Sequence, residues 1–166
     1  MSLLLNGSKT MTIAGTTMQC LEIYTGEAYT FPINFTDANG IPANAATPNN
    51  WALQANANFY TVDTVTYDST NTEVILGNIT AISPQPASGN YTLVTNWSNR
   101  NIGQAYLYVG NNITNSGNNT PTVTLANNTS NSVLCIVTLT IAKQSSSNAT
   151  LADINREPLG FIVRYQ

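Results

Sequence analysis

The sequence predicts an all-β domain, an antiparallel β-sandwich of about ten strands with little or no helix, and three observations carry that expectation. Apolar residues recur with period two, or in short β-branched runs, along almost the whole chain. Turn-forming Asn, Gly, Pro and Asp residues separate these runs at the spacing typical of a sandwich or barrel. The length, 166 residues, suits one domain that buries roughly two-thirds of the surface its unfolded chain exposes.

The whole chain, 1–166, reads as one domain whose residues 1–9 form an N-terminal arm. Strands are expected at Thr10–Ala14, Met18–Tyr24, Tyr29–Thr36, Phe59–Tyr67, Glu73–Ile82, Tyr91–Asn96, Gln104–Val109, Thr122–Ala126, Ser132–Ile141 and Gly160–Tyr165. Asp37-Ala38-Asn39-Gly40 closes a tight turn, because Asn-Gly tolerates positive φ. Pro42–Asn50 reads as a surface loop leading to Trp51, and Ser83–Asn90 repeats its proline-rich pattern. Gly110–Pro121 reads as a long polar loop and Ser145–Ala149 as another, while Leu151–Arg156 is the one place expected to form a short helical turn. The strand number fits an immunoglobulin-like or a jelly-roll-like arrangement.

Charge narrows the function. Only 8% of residues are charged, against roughly 25% in an average soluble domain, so polarity comes from Asn, Thr and Ser. Lys9, Arg100, Lys143, Arg156 and Arg164 are scattered through a chain of net charge −3. Five dispersed cations build no basic groove, so no nucleic-acid partner is expected. Met1–Leu5 lacks a basic n-region and reads as neither leader nor anchor, and no run is long enough to insert in a membrane as a helix.

Histidine is absent, which removes the commonest general base and metal ligand together. Asp63 with Asp68, and Glu22 with Glu27, are the carboxylate pairs that glycoside hydrolysis would require, but eight scattered acids produce near neighbours by chance. Asp37–Gly40 begins like a calcium loop, yet no distal acid follows it, and the turn reading is preferred. Cys20 and Cys135 sit in apolar strand-like sequence and read as buried reduced thiols, with a disulfide between them the alternative. Asn-x-Ser/Thr sequons recur from Asn6 to Asn148 and follow from the high Asn content. No catalytic, cofactor or metal residue is therefore assigned.

Assembly is the function that remains. Natural sheets guard their edges with charge or proline, whereas Gln104–Val109 and Ser132–Ile141 carry no charge and are expected to be central or covered by a partner. Large aromatics contribute most at interfaces. Trp51, Trp97, Tyr106, Tyr108, Phe161, Val163 and Tyr165 are accordingly the interface candidates. Tyr106 and Tyr108 share one strand face and, with the tryptophans, could alternatively stack on a sugar.

A strand ending in Gly26-Glu27, then Tyr29-Thr30-Phe31-Pro32-Ile33-Asn34-Phe35-Thr36, then Asp37-Ala38-Asn39-Gly40-Ile41-Pro42 resembles the N-terminal Ig-like domain of bacteriophage baseplate and tail-fibre upper proteins over roughly residues 22 to 60. The resemblance implies a non-enzymatic virion structural protein, an adaptor of the baseplate, tail or tail fibre that assembles with other phage virion proteins and as a homo-oligomer. Its location would be the virion. A capsid decoration protein, a carbohydrate-binding β-sandwich module and a small cell-wall hydrolase are the rival readings.

Overall fold

The computed structural model describes residues 2–47, 49–114, 132–144 and 151–164, giving the backbone alone for 113–114, 143–144 and 151–154. Among the described residues twelve strands run in chain order. They are β1 Ser2–Leu5, β2 Lys9–Ile13, β3 Thr16–Tyr24, β4 Tyr29–Thr36, β5 Trp51–Val62, β6 Val65–Tyr67, β7 Glu73–Leu76, β8 Ile79–Ala81, β9 Leu93–Asn99, β10 Gln104–Val109, β11 Ser132–Gln144 and β12 Leu151–Arg164. A small sheet has the order β1-β4-β10-β9, and a large one β6-β7-β2-β3-β12-β11-β5-β8. Together they form the expected β-sandwich.

Period two positions the main core. In β4 and β10 the odd-numbered residues Ile33, Phe35, Ala105, Leu107 and Val109 face inward, and they meet Val133, Cys135, Val137, Leu159, Phe161 and Val163 of the large sheet. Burying one such side chain contributes about 1.5–3 kcal/mol. The large sheet has a second apolar cluster on its other face, of Met11, Met18, Cys20, Val62, Val74, Leu134 and Ile162. Because that cluster joins residues from strands near both ends of the sheet, the sheet curls around it. At the breaks between β5 and β6 and between β7 and β8, Asp63 accepts hydrogen bonds from the Asn78 amide (2.7 Å) and side chain (2.8 Å), and Gly77 N donates to Thr64 O (2.7 Å).

These corners break two strands that the sequence presents as continuous, Phe59–Tyr67 and Glu73–Ile82. Other differences also have local causes. Two pairings are parallel, β3 with β12 and β2 with β7, so the sandwich is mixed rather than purely antiparallel; long connections permit this. Leu151–Arg156 is strand, not helical turn, because it pairs with the far end of β11. Within residues 1–9, Ser2–Leu5 pairs with β4 and buries Leu3 and Leu5, so this stretch is sheet and not an arm. Loop Pro42–Asn50 buries Ala43 and Ala45. The expected strand Thr122–Ala126 and the loop Ser145–Ala149 lie outside the described residues.

Candidate interaction surface

The two uncharged strands that suggested a covering partner are covered by the chain itself. β10 lies between β4 and β9, and β11 between β12 and β5. β12, the C-terminal segment singled out with them, lies between β11 and β3. Among the described residues the edges fall instead on β1 and β9 of the small sheet and on β6 and β8 of the large one. None of these four strands contains Lys, Arg, Asp or Glu. Charged strand residues are confined to β2, β3, β7, β11 and β12, which reverses the usual placement of charge on edges.

The candidate aromatics separate into three groups. Tyr106 and Tyr108 are half-buried on the outer face of the small sheet, because they alternate with the buried Ala105, Leu107 and Val109. Their cross-strand neighbours are Pro32 and Asn96, and Thr30 and Val94. With Leu4, which is 56% exposed, they make a face of hydroxyls, amides and apolar groups. Trp51 and Trp97 are half-buried at the sandwich rim: the Trp97 indole Nε1 donates to Trp51 O at 2.9 Å, and its ring lies 5.5 Å from that of Phe35. Neither tryptophan is a free stacking platform. Phe161 and Val163 are fully buried, which removes them as interface residues, since inward positions of a central strand meet only the core. Tyr165 lies outside the described residues.

Asp63, Asp68, Asp37 and Glu22 each accept hydrogen bonds locally. Asp63 holds the Asn78 corner. Asp68 accepts from the Thr72 amide (2.8 Å) and from Thr70 (2.9 Å), and these bonds, led by the Thr72 amide, hold its carboxyl down at about 2. Asp37 Oδ1 accepts from the amides of Asn39 (2.8 Å) and Ile41 (3.0 Å), so its turn is a side-chain-closed corner. Glu22 accepts from Arg164 Nε at 2.6 Å and from the Tyr67 hydroxyl. Lys9 lies 3.9 Å from the Tyr67 ring centroid. These groups border a pocket of about 270 Å³ with Cys20 and Tyr24. Among the described residues no three His, Cys, Asp or Glu side chains gather as a metal site.

Cys20 and Cys135 are free thiols on opposite faces of the large sheet, one in each core. Desolvation pushes both up to about 12, with Glu22 adding to the effect at Cys20. Their strands are separated by β12, which puts the backbones about two strand spacings apart, near 10 Å, beyond disulfide reach.

One feature escapes sequence reading, a groove of about 510 Å³ between β5 and β9, lined by Leu53, Gln54, Ala55, Asn56, Leu93, Val94 and Thr95. It joins the unpaired side of β5 to the free edge of the small sheet. Only the alternation of Leu53, Ala55 and Ala57 hints at β5 here, and the Ala- and Asn-rich sequence conceals it.

No family model matches the chain, and no curated protein matches it. Among solved structures it is similar to murine CRIg, at 10% identity over 99% of this chain and 98% of that one, with a TM-score of 0.27. Among the described residues no helix is long and apolar enough to cross a membrane.

Proposed function

We propose that this chain is a non-enzymatic structural protein of a bacteriophage particle, an adaptor of the tail, baseplate or fibre that joins other virion proteins. The observation that carries assembly is the absence of charge from all four edge strands among the described residues. Uncharged edges recruit further strands, and permanent incorporation in a particle makes them tolerable. The uncharged outer face around Tyr106 and Tyr108 supplies a second contact region. The phage setting rests on the resemblance of residues 22 to 60 to upper-protein domains. Locating the chain in purified particles tests the proposal: the expected result is a stoichiometric band assigned to tail or baseplate. A soluble monomer that joins no particle protein contradicts it, and a capsid position favours the decoration reading.

The half-exposed Tyr106 and Tyr108, flanked by Asn96 and Thr30, favour carbohydrate binding as the second reading. Glycan-array binding that Tyr106→Ala and Tyr108→Ala abolish would replace the first.

A further inference from the structure

Asparagine followed by glycine is the pairing in which an amide side chain and the backbone react most readily, because no Cβ shields the glycine nitrogen. Only Asn6 and Asn39 precede glycine in this chain. Both pairs lie in exposed turns, Asn6-Gly7 between β1 and β2 and Asn39-Gly40 after β4. A Cβ placed on either glycine meets nothing within 4 Å, so water reaches both. Sequence alone does not separate them.

Hydrogen bonds do. The Gly40 amide donates to Asp37 O at 3.1 Å, and the Asn39 and Ile41 amides donate to Asp37 Oδ1 at 2.8 and 3.0 Å. Asp37 N closes the same loop onto Ile41 O at 2.8 Å. The attacking nitrogen is therefore occupied there, and the Asp37 carboxylate opposes the negative charge that forms on it. Around Asn6 the bonds stop at the flanks. Gln19 of β3 accepts from Leu5 N (2.7 Å) and Ser8 Oγ (3.2 Å) and donates to Leu3 O (2.7 Å). Across the turn itself Ser8 N reaches Leu5 O at 3.3 Å, longer than the usual range of about 2.7–3.2 Å. Among the described residues neither the Asn6 side chain nor the Gly7 amide has a hydrogen-bond partner. Gly7 also borders the pocket that Lys9 lines, and a nearby cation favours charge developing on the Gly7 nitrogen.

We propose that Asn6 is a self-modification site, whose side-chain amide is lost to attack by the Gly7 backbone nitrogen while the protein stays folded. Solvent hydroxide removes the Gly7 N–H proton, and the nitrogen bonds to Asn6 Cγ. The bond from Cγ to the side-chain nitrogen then breaks, and ammonia leaves with a proton taken from water. Water next opens the cyclic imide at either carbonyl, giving aspartate or the isomer in which the chain continues through the side-chain carbonyl. Overall water is consumed and ammonia released, with no change of oxidation state. Either product sets a carboxylate at the end of β1, an uncharged edge strand, and charge on an edge discourages strand addition. That consequence rests on the assembly reading, whereas the conversion itself does not.

The test incubates the full chain in mildly alkaline buffer, folded and in denaturant, and follows the peptides containing Asn6 and Asn39 by mass spectrometry for replacement of NH2 by OH. The unfolded chain is the reference, since both pairs react there through an unhindered glycine amide. In the folded protein Asn6 is expected to convert about tenfold or more faster than Asn39, because the Asn39 turn must first give up its hydrogen bonds. Asp37→Ala, at an exposed position, should bring Asn39 up towards the Asn6 rate and leave Asn6 unchanged. Asn39 converting as fast as Asn6 in the folded parent, or an Asn6 that stays intact while the unfolded chain converts, overturns the proposal. So does an Asp37→Ala protein, folded by circular dichroism, in which Asn39 remains as slow as before. None of these readouts depends on whether the chain is found in a particle.

Discussion

Gly103 follows a short 3₁₀ turn with φ +62°, and a Cβ there would lie 2.7 Å from both Ala43 O and Phe35 O. Backbone crowds the position on two sides, so Gly103→Ala is expected to lower stability by about 2 kcal/mol or more in denaturant unfolding. Ala14 shows the opposite case. It shares the two-residue turn between β2 and β3 with Gly15, at φ +48°, and Ala14→Gly is expected to raise stability by up to about 1 kcal/mol. The thiols give a pH prediction. Cys20 and Cys135 have folded values near 12, above the ordinary thiol value, so their contribution is intact below about 8.5. It is lost as pH rises from there toward 12, and a titration of unfolding midpoints should fall across that window more for the parent than for Cys135→Ala. The sequence already marked both as buried thiols through their apolar neighbours. It could not separate Phe161 and Val163 from Tyr106 and Tyr108, because an aromatic or β-branched residue looks alike on either face of a strand until its neighbours fix the register.

At the scale of elements, β4 and β10 lie where the sequence placed them, because strong alternation and the Asp37–Gly40 turn bound them. β5 was half hidden. After Trp51 its first residues, ALQANAN, are rich in the poor strand formers Ala and Asn, and the long pairing with β11 holds them extended. The same override converted Leu151–Arg156 from turn to strand. β12 is fixed at its end by Arg164, whose guanidinium bonds Glu22 of β3 with side-chain exposures of 30% and 27%. At that exposure Arg164→Ala should cost about 1 kcal/mol or less in chemical denaturation. By contrast Phe161→Ala removes a ring stacked 5.2 Å from Phe31 inside the main core and should cost about 3–5 kcal/mol. That difference separates the core from the latch.

For the whole molecule, the sandwich was legible and the curl was not. Period-two patterning marks a strand's inner face, but the second cluster, with Met11, Cys20, Leu134 and Ile162, makes central strands apolar on both faces, and a fully apolar run reads the same in either kind of sheet. The scarcity of charge was visible from composition; its exclusion from every edge strand needed the strand order. The proposed assembly role therefore rests on edges: those closed by glutamine amides, and the run along β5 for which no backbone partner besides β11 occurs among the described residues. Residue-resolved amide hydrogen exchange along Trp51–Val62 in the free protein tests this most directly. The amides of Leu53, Ala55 and Ala57 should exchange rapidly while those of Gln54, Asn56 and Asn58, paired to β11, stay protected. Uniform protection along the strand would mean that its edge is already covered, and would contradict the account.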